Sequence, residues 1–284
     1  MDLPRLSPLL IEPLVRATLL EDLGLAGDIT SNAVVPSDHR STMVFSLRQP
    51  GAIAGLDVAE MAFRLADSSV AFERMVDDGD FLAKGTTIAR VSGSSRSILA
   101  VERTALNFLG HMSGVATATA NLVKAVQGTK AAIVCTRKTM PGLRALQKYA
   151  VRAGGGMNHR FALYDAVLIK DNHIAVAGSV AEAIQRAKAH AGHMVKIEVE
   201  VDTLEQLHEA MAIGVDAVLL DNMSPAQLRE AVKIIGGRAI AEASGGITPE
   251  TVAVVAASGI DLISVGWMTH SAPNLDIGLD FSFV

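Results

Sequence analysis

Hydrophobic and polar positions follow two different patterns along this chain of 284 residues. Up to about residue 101, short apolar stretches alternate with turn residues, and this pattern predicts an opening helix over residues 9–21 followed by strands. The predicted strands cover residues 42–48, 69–76, 86–91 and 97–101. The first part of the chain is therefore expected to be an α+β module with a small, mainly antiparallel sheet.

From residue 131 onward, short and largely apolar runs alternate with segments of helical periodicity. The runs cover residues 131–135, 166–169, 197–201, 217–220, 239–243 and 262–265. Strands that alternate with helices in this way predict repeated βα units and a parallel sheet covered on both faces. Because six strands fall short of a full eight-stranded barrel, we predict an incomplete barrel. A doubly wound open sheet is the alternative, since strand order cannot be read from the sequence.

These two patterns predict two domains joined by a long helix over residues 102–126. The N-terminal domain is predicted to cover residues 1–115 and the barrel residues 116–270. The last stretch, residues 271–284, is apolar enough to pack back onto the N-terminal domain.

Composition and charge exclude several classes of protein. With 30 acidic and 25 basic residues, the net charge of −5 gives no general attraction to nucleic acid. The single cysteine, Cys135, cannot form an internal disulfide or a cysteine-rich zinc site. Residues 1–12 lack the unbroken apolar stretch of a signal peptide, and no run is long enough for a membrane span. We expect a soluble cytoplasmic protein that binds neither nucleic acid nor membranes.

Charged residues lie within or directly after the apolar runs of the second half. Because the carboxyl ends of parallel strands meet at one face of the fold, these side chains are expected to converge on a single site. Glu200 and Asp221 make a plausible carboxylate pair, able to stabilise positive charge on a sugar ring or to hold Mg²⁺ against a diphosphate. The alternative is a structural network of ion pairs with Lys170 or Lys196.

Residues 136–170 carry seven basic side chains and a single acidic one, which indicates an anion site in an otherwise acidic chain. Three of the basic residues are spaced four apart and are interpreted as a solvated helix face: Arg144, Lys148 and Arg152. The other four are assigned to the site: Arg137, Lys138, Arg160 and Lys170.

Glycine-containing turns follow the last two apolar runs. Ser244, Gly245 and Gly246 follow the fifth run, and Gly266 follows the sixth. Glycine lets backbone N–H groups approach an oxyanion closely. This is the place where many α/β barrels hold a phosphate, so the turns predict a phosphate site.

Read in order, these motifs resemble the quinolinate phosphoribosyltransferase family over nearly the whole chain. The matching segments are EDLG at 21–24, GDIT at 27–30, ERTALN at 102–107, TRKT at 136–139, NHR at 158–160, LIKDNH at 168–173, EVEVD at 198–202, LDN at 220–222, SGG at 244–246 and DIGL at 276–279. The resemblance implies an N-terminal α/β sandwich followed by an incomplete α/β barrel of about seven strands. It also implies the transfer of phosphoribosyl from phosphoribosyl pyrophosphate to quinolinate with loss of CO₂, in the presence of Mg²⁺.

The resemblance also implies roles for particular residues. The cradle for the two carboxylates of quinolinate would consist of Arg137, His159 and Arg160, with Lys138 and Lys170 between the two substrates. Arg103 would come from the neighbouring subunit of a homodimer. Glu200 and Asp221 would stabilise the sugar cation and place Mg²⁺ with the diphosphate. The ribose 5′-phosphate would be held by Ser244, Gly245, Gly246 and Gly266, with His270 close by.

Three alternatives stay open at this point. One is a related phosphoribosyltransferase that uses nicotinate, or the similar protein found with molybdate transport genes. Another is a phosphate-binding barrel lyase or synthase, for which Lys170 would be the Schiff-base residue. The third is an anion-binding barrel without catalytic activity, against which Glu200 and Asp221 argue.

Overall fold

The computed structural model describes residues 3–281, which fold as two units whose segments interleave along the chain. The first unit takes Thr139–Gly155 and the described parts of Met1–Ala120 and Thr269–Val284. The second unit takes Asn121–Lys138 and Gly156–Met268. The domain limits predicted from the sequence, 1–115 and 116–270, stay a prediction.

An antiparallel sheet forms the framework of the first unit. Its four strands are β1 (Arg40–Leu47), β3 (Ala71–Arg74), β5 (Thr87–Ser94) and β12 (Ile277–Phe281), in the order β12-β1-β5-β3. A separate two-stranded ladder consists of β2 (Gly51–Ala52) and β4 (Phe81–Leu82). The C-terminal strand β12 pairs with β1 from Met43↔Phe281 to Leu47↔Ile277. Residues 282–284 of the tail predicted to pack here lie outside the described residues.

The helices of the first unit supply much of its buried core. They are α1 (Pro8–Leu23), α2 (Ile29–Val34), α3 (Leu56–Ala66), α4 (Ser95–Ala125), whose last turn belongs to the second unit, and α5 (Arg144–Ala153). The rings of Phe45 on β1, Phe63 on α3 and Phe72 on β3 pack with centroids 5.9–6.1 Å apart. This aromatic cluster fixes α3 against the sheet, since aromatic pairs contribute packing energy beyond their buried area.

The structure confirms the antiparallel α+β character of the first part, with one local correction. The predicted strand over residues 97–101 is wrong, because these residues lie within helix α4. A short apolar run does not distinguish a strand from a helix by periodicity. Here the run continues without a breaker into the helical residues that follow, and the chain turns from strand β5 into helix at Ser95.

Six parallel strands form the sheet of the second unit. They are β6 (Ala132–Val134), β7 (Val167–Ile169), β8 (Ile197–Val201), β9 (Ala217–Asp221), β10 (Ile240–Ser244) and β11 (Leu262–Ser264). Their order is β6-β11-β10-β9-β8-β7, as in a barrel opened between its first two strands. The incomplete barrel is therefore confirmed and the doubly wound alternative is excluded.

The number of barrel strands differs from the value of about seven implied by the resemblance. Within residues 3–281 the sheet has six strands. At the opening between β6 and β7, Val134 forms only an isolated bridge with Met157. The segment before β7 therefore pairs with β6 over too few residues to form a strand.

The helices of the second unit alternate with its strands. They are α6 (Asp171–Ala177), α7 (Val180–His190), α8 (Leu204–Ile213), α9 (Pro225–Ile235) and α10 (Val252–Ala256), and the short α11 (Trp267–His270) leads back to the first unit. Capping boxes start α8 at Thr203 and α9 at Ser224, where the serine or threonine and a glutamine satisfy free backbone N–H groups. Among residues 3–281, none of the helices combines the length and hydropathy of a membrane span. The predicted cytoplasmic location stays a prediction.

Candidate active site

Polar side chains line the interior face of the barrel strands. Successive residues of a strand point to opposite faces, so Glu198 and Glu200 share one face of β8, and the fully buried Val199 and Val201 share the other. A cavity of about 350 Å³ lies at the carboxyl ends of the strands. It is lined by Thr136, Arg137, Lys138, His159, Arg160, Leu168, Lys170, Glu200, Leu219, Asp221, Glu242, Ser244 and Ser264.

One side of the cavity is cationic. Arg137 and Lys138 follow β6, while Arg160 precedes β7 and Lys170 follows it. Nη1 of Arg160 donates to the carbonyl oxygen of Ala166 at 3.0 Å, which fixes the guanidinium at the cavity wall. Burial lowers the pKa of Arg160, and the nearby charge of Arg137 lowers it further. An anion at this point would relieve the repulsion between the two guanidinium groups.

The other side carries two carboxylates on neighbouring strands. Oε2 of Glu200 lies 2.7 Å from Nζ of Lys170, and Oδ2 of Asp221 accepts a hydrogen bond from Nδ2 of Asn222 at 2.6 Å. Asn222 has a φ of +52°, the one positive value for a non-glycine residue among the described residues. Its backbone N–H donates to the carbonyl oxygen of Ser244 at 2.9 Å. The carboxyl ends of β9 and β10 are therefore tied together beside Asp221.

A buried polar layer lies beneath the mouth of the cavity. Nε2 of His159 lies 2.8 Å from Oε2 of Glu198 and 3.7 Å from Oε1 of Glu242. Glu242 is only 2% exposed. Burial, and then the neighbouring charge of Glu198, raise the pKa of Glu242 well above the ordinary range of a glutamate. Glu242 is therefore expected to stay neutral over a wider range of pH than an exposed glutamate.

Sequence reasoning did not name Glu242 as a site residue. The signal was a glutamate inside the apolar run of residues 239–243. A carboxylate at such a position is costly to desolvate without a partner. What the sequence could not supply is the partner, because His159 and Glu198 come from other parts of the chain.

The structure brings eight of the predicted site residues together around this cavity: Arg137, Lys138, His159, Arg160, Lys170, Glu200, Asp221 and Ser244. The predicted glycines do not line it, although Gly245 and Gly246 follow β10 and Gly266 follows β11. Arg103 and His270 belong to the first unit. Arg103 is exposed on α4, and Nδ1 of His270 lies 2.6 Å from Oγ of Ser271. The roles assigned to these residues stay predictions.

The interpretation of Arg144, Lys148 and Arg152 as a solvated helix face is wrong for Lys148. Its side chain on α5 is only 1% exposed, and Arg144 and Arg152 are half-buried. Spacing of four residues places side chains on one face of a helix. It does not tell whether that face meets water or the rest of the unit.

The fold and the cavity define the class of this protein, an incomplete α/β barrel with basic and acidic side chains around a cavity at the carboxyl ends of its strands. The models of the quinolinate phosphoribosyl transferase N-terminal and C-terminal domains match residues 28–113 and 115–280. The chain therefore belongs to the quinolinate phosphoribosyl transferase family, as the motifs predicted.

Related proteins that match nearly the whole chain support this assignment. A protein of Mycobacterium leprae named nicotinate-nucleotide pyrophosphorylase [carboxylating] is 46% identical over 273 residues, covering 94% of this chain and 95% of its own. A Bacillus subtilis protein with the same name, preceded by "probable", is 42% identical over 275 residues, covering 97% and 94%. The structure of the Francisella tularensis nicotinate-nucleotide pyrophosphorylase has a TM-score of 0.94 at 38% identity, covering 99% of both chains. The predicted fold class is thus also that of solved structures.

Proposed function

We propose that this protein is the transferase that converts quinolinate and phosphoribosyl pyrophosphate into nicotinate mononucleotide, diphosphate and CO₂ in de novo NAD synthesis. The observation that carries this proposal is a cavity that combines a cationic side at Arg137 and Arg160 with an acidic side at Glu200 and Asp221. A planar dicarboxylate suits the first side, and a sugar that develops positive charge suits the second. Membership of the family supports the same reaction.

The cationic side would bind and orient quinolinate. Guanidinium groups bind carboxylates through two parallel hydrogen bonds, and Arg137 and Arg160 supply two such groups for the two carboxylates. Lys138 and Lys170 would lie between quinolinate and the phosphoribosyl donor, where each can attract anionic oxygens of both. Binding in this way aims the ring nitrogen of quinolinate at C1 of the ribose, so that orientation lowers the barrier.

The acidic side would stabilise the charge that develops as diphosphate leaves. The bond from C1 of the ribose to the diphosphate oxygen breaks, and the ring acquires oxocarbenium character. Fixed carboxylates at Glu200 and Asp221 would stabilise this positively charged ring more than they stabilise the uncharged ribose ring of the ground state. The quinolinate nitrogen then bonds to C1, and the resulting pyridinium takes up the electron pair of the bond between the ring carbon and the carboxylate as CO₂ leaves. A proton from water then bonds to that ring carbon in place of CO₂.

The carboxylates on this side also fit Mg²⁺. This ion prefers oxygen ligands and is commonly held by one or two carboxylates together with substrate phosphates. Glu200 and Asp221 end neighbouring strands at the same cavity, so both would hold Mg²⁺ together with the diphosphate. When bound, Mg²⁺ would neutralise charge on the leaving diphosphate.

Phosphate binding and assembly complete the proposal. Ser244, Gly245, Gly246 and Gly266 would hold the ribose 5′-phosphate, with His270 nearby, because backbone N–H groups in glycine turns bind oxyanions. Arg103 is exposed on α4. It would reach the site of a partner subunit, so the working enzyme would be a homodimer with shared active sites.

A direct assay tests the reaction. Purified protein is incubated with quinolinate, phosphoribosyl pyrophosphate and Mg²⁺, and nicotinate mononucleotide and released CO₂ are measured together. We expect both products in equal amounts and none when Mg²⁺ is chelated. A matched reaction contains nicotinate in place of quinolinate. Turnover of nicotinate without turnover of quinolinate would show that nicotinate is the substrate. Turnover of neither would contradict the transferase reaction.

A further inference from the structure

Glu198 and Glu242 have no part in the reaction proposed above, and they share the buried layer with His159, which the family resemblance assigned to the quinolinate cradle. Oε1 of Glu198 and Oε1 of Glu242 are buried without a hydrogen-bond partner among the described residues. The potential ligand atoms of all three side chains lie within 4.8 Å of one another. Such a group can either hold a metal ion or form a proton-linked network.

The hydrogen bond from the backbone of Arg160 distinguishes these two possibilities. A backbone N–H can only donate, and that of Arg160 donates to Nδ1 of His159 at 2.8 Å. Nδ1 therefore carries no proton, and in a neutral imidazole the proton lies on Nε2. Nε2–H donates to Glu198 at 2.8 Å and has no lone pair for a metal ion. The arrangement is therefore a hydrogen-bonded network.

The same geometry pairs each ring nitrogen of His159 with a protein group. Glu198 on β8 accepts from Nε2, and the amide of Arg160 donates to Nδ1. The ring thus connects the interior of the barrel to the backbone of a residue that lines the cavity. Before a ring nitrogen of His159 could donate a hydrogen bond to a substrate, one of these two contacts would have to break.

The environment of Glu242 favours its carboxylic-acid form. It shares the buried layer with the carboxylate of Glu198, and the hydroxyl of Ser264 and the ring of His159 are its other polar neighbours. Two adjacent buried carboxylates cannot both ionise without a large penalty. In the acid form Glu242 has an O–H to donate, and Glu198 is the neighbouring acceptor. Glu242 thereby leaves Glu198 free to accept from His159.

We propose that Glu242 is a positioning residue for substrate carboxylate binding, acting through Glu198 and His159 on Arg160. Glu242 orients the carboxylate of Glu198, Glu198 orients the ring of His159, and the ring holds the amide of Arg160. The bond to the ring fixes the backbone of Arg160, and the guanidinium of Arg160 is held at the cavity wall by its own bond to the carbonyl oxygen of Ala166. This inference rests on the proposed function, because the carboxylate that Arg160 receives would be one of the two on quinolinate.

Steady-state kinetics of Glu242→Gln and Glu242→Ala test the proposal. The glutamine is neutral and can donate to Glu198, so we expect its KM for quinolinate to stay within about twofold of wild type. The alanine removes a buried donor, and a loss of about tenfold in quinolinate affinity is expected. Its kcat and its KM for phosphoribosyl pyrophosphate should change little. Glu230→Ala, at an exposed position on α9, is the matched control with no expected effect.

Two kinetic outcomes would overturn the proposal. One is an unchanged quinolinate KM in a folded Glu242→Ala variant. The other is a glutamine variant that fails as badly as the alanine variant, since a positioning hydrogen bond should be rescued by a neutral donor of the same shape. If the alanine variant does not fold, the glutamine variant and the following measurement decide.

Nitrogen-15 NMR of histidine-labelled protein without substrates tests the ring itself. Comparison with His159→Gln assigns the signals of His159. We expect a proton on Nε2 and none on Nδ1 at neutral pH, whereas a proton on Nδ1 or on both nitrogens would overturn the network. Because no substrate is present, this result is separate from the reaction. The expected ring state in a protein that does not turn over quinolinate would contradict the proposed function alone.

Discussion

Nζ of Lys170 lies 2.7 Å from Oε2 of Glu200, between the ends of the neighbouring strands β7 and β8. The lysine side chain is 46% exposed and the glutamate side chain 12% exposed. The cation therefore lies toward solvent and the carboxylate lies deeper. Glu200 is balanced by Lys170 before any substrate binds, and an arriving anion would share the ammonium group with it.

Replacing Lys170 with methionine tests this dual role. The variant leaves Glu200 without its cation and removes one attraction for the anionic substrates, so we expect kcat/KM to fall by about 10²-fold, or about 3 kcal/mol of transition-state stabilisation. Steady-state kinetics with both substrates measure the change. Lys233→Met on α9, whose partner Glu230 is exposed, is the matched control and should have wild-type kinetics. Equal activity of the two variants would contradict a role for Lys170.

Neutral isosteres of the two carboxylates separate catalysis from binding. Glu200→Gln and Asp221→Asn keep the shape of the cavity but remove charge that matters when the sugar becomes cationic. We expect each to lower kcat by about 10²–10³-fold. Titration calorimetry should show quinolinate affinity within about threefold of wild type, because in the proposed arrangement the carboxylates would face the sugar and not quinolinate. Unchanged turnover in both variants would remove them from the catalytic role.

The sequence predicted the barrel and the residues at its mouth because both depend on local signals. Each apolar run became a strand within one or two residues of its predicted ends, and polar residues at the ends of such strands meet at one face. Glu200 and Asp221 could therefore be paired although they are far apart in the chain. Residues 97–101 show the limit of this reasoning. They were predicted as a strand but form the start of helix α4, because a short apolar run fits both structures.

The buried layer could not be predicted because it depends on tertiary contacts. The segment that carries His159 has no helix or strand periodicity of its own between α5 and β7, so the sequence does not tell where its side chain points. Lys148 is the converse case, a lysine whose spacing suggested solvent and whose side chain is buried. In both cases the environment is set by elements that are distant along the chain.

The raised pKa of Glu242 predicts a pH dependence of stability. The folded protein holds the Glu242 proton more tightly than the unfolded chain does, so ionisation favours unfolding as pH rises above the ordinary glutamate range. Between about pH 5 and about pH 7, wild type should lose up to about 1.4 kcal/mol per pH unit relative to Glu242→Gln. Urea unfolding of both proteins at several pH values measures the difference. Parallel curves would mean that Glu242 is ionised in the folded protein.

Arg103 tests the proposed shared site. Arg103→Ala and Arg137→Ala should each be inactive alone, because each removes a guanidinium from every site. If Arg103 reaches the partner's cavity, a mixed dimer has one site with both substitutions and one with neither. Unfolding and refolding an equal mixture should then restore about a quarter of wild-type activity by random assortment. Separately refolded proteins combined afterwards are the control, and no recovery in the mixture would argue against the shared site.

Two adjacent glycines, Gly245 and Gly246, give a matched pair of variants that test the turn proposed to bind phosphate. Both have positive φ, +95° at Gly245 and +59° at Gly246, so alanine strains either position by about 1–2 kcal/mol. Only at Gly245 would the new Cβ also collide with a neighbour, at 2.8 Å from the backbone nitrogen of Asn222, whereas nothing lies within 4 Å at Gly246. Because Asn222 ties β9 to β10, Gly245→Ala should separate Asp221 from Ser244. We expect it to lose about 3 kcal/mol of unfolding free energy and to raise the KM for phosphoribosyl pyrophosphate about tenfold, with smaller effects for Gly246→Ala. Denaturant unfolding and kinetics of both variants measure this, and equal effects would mean that the close approach to Asn222 does not shape the turn.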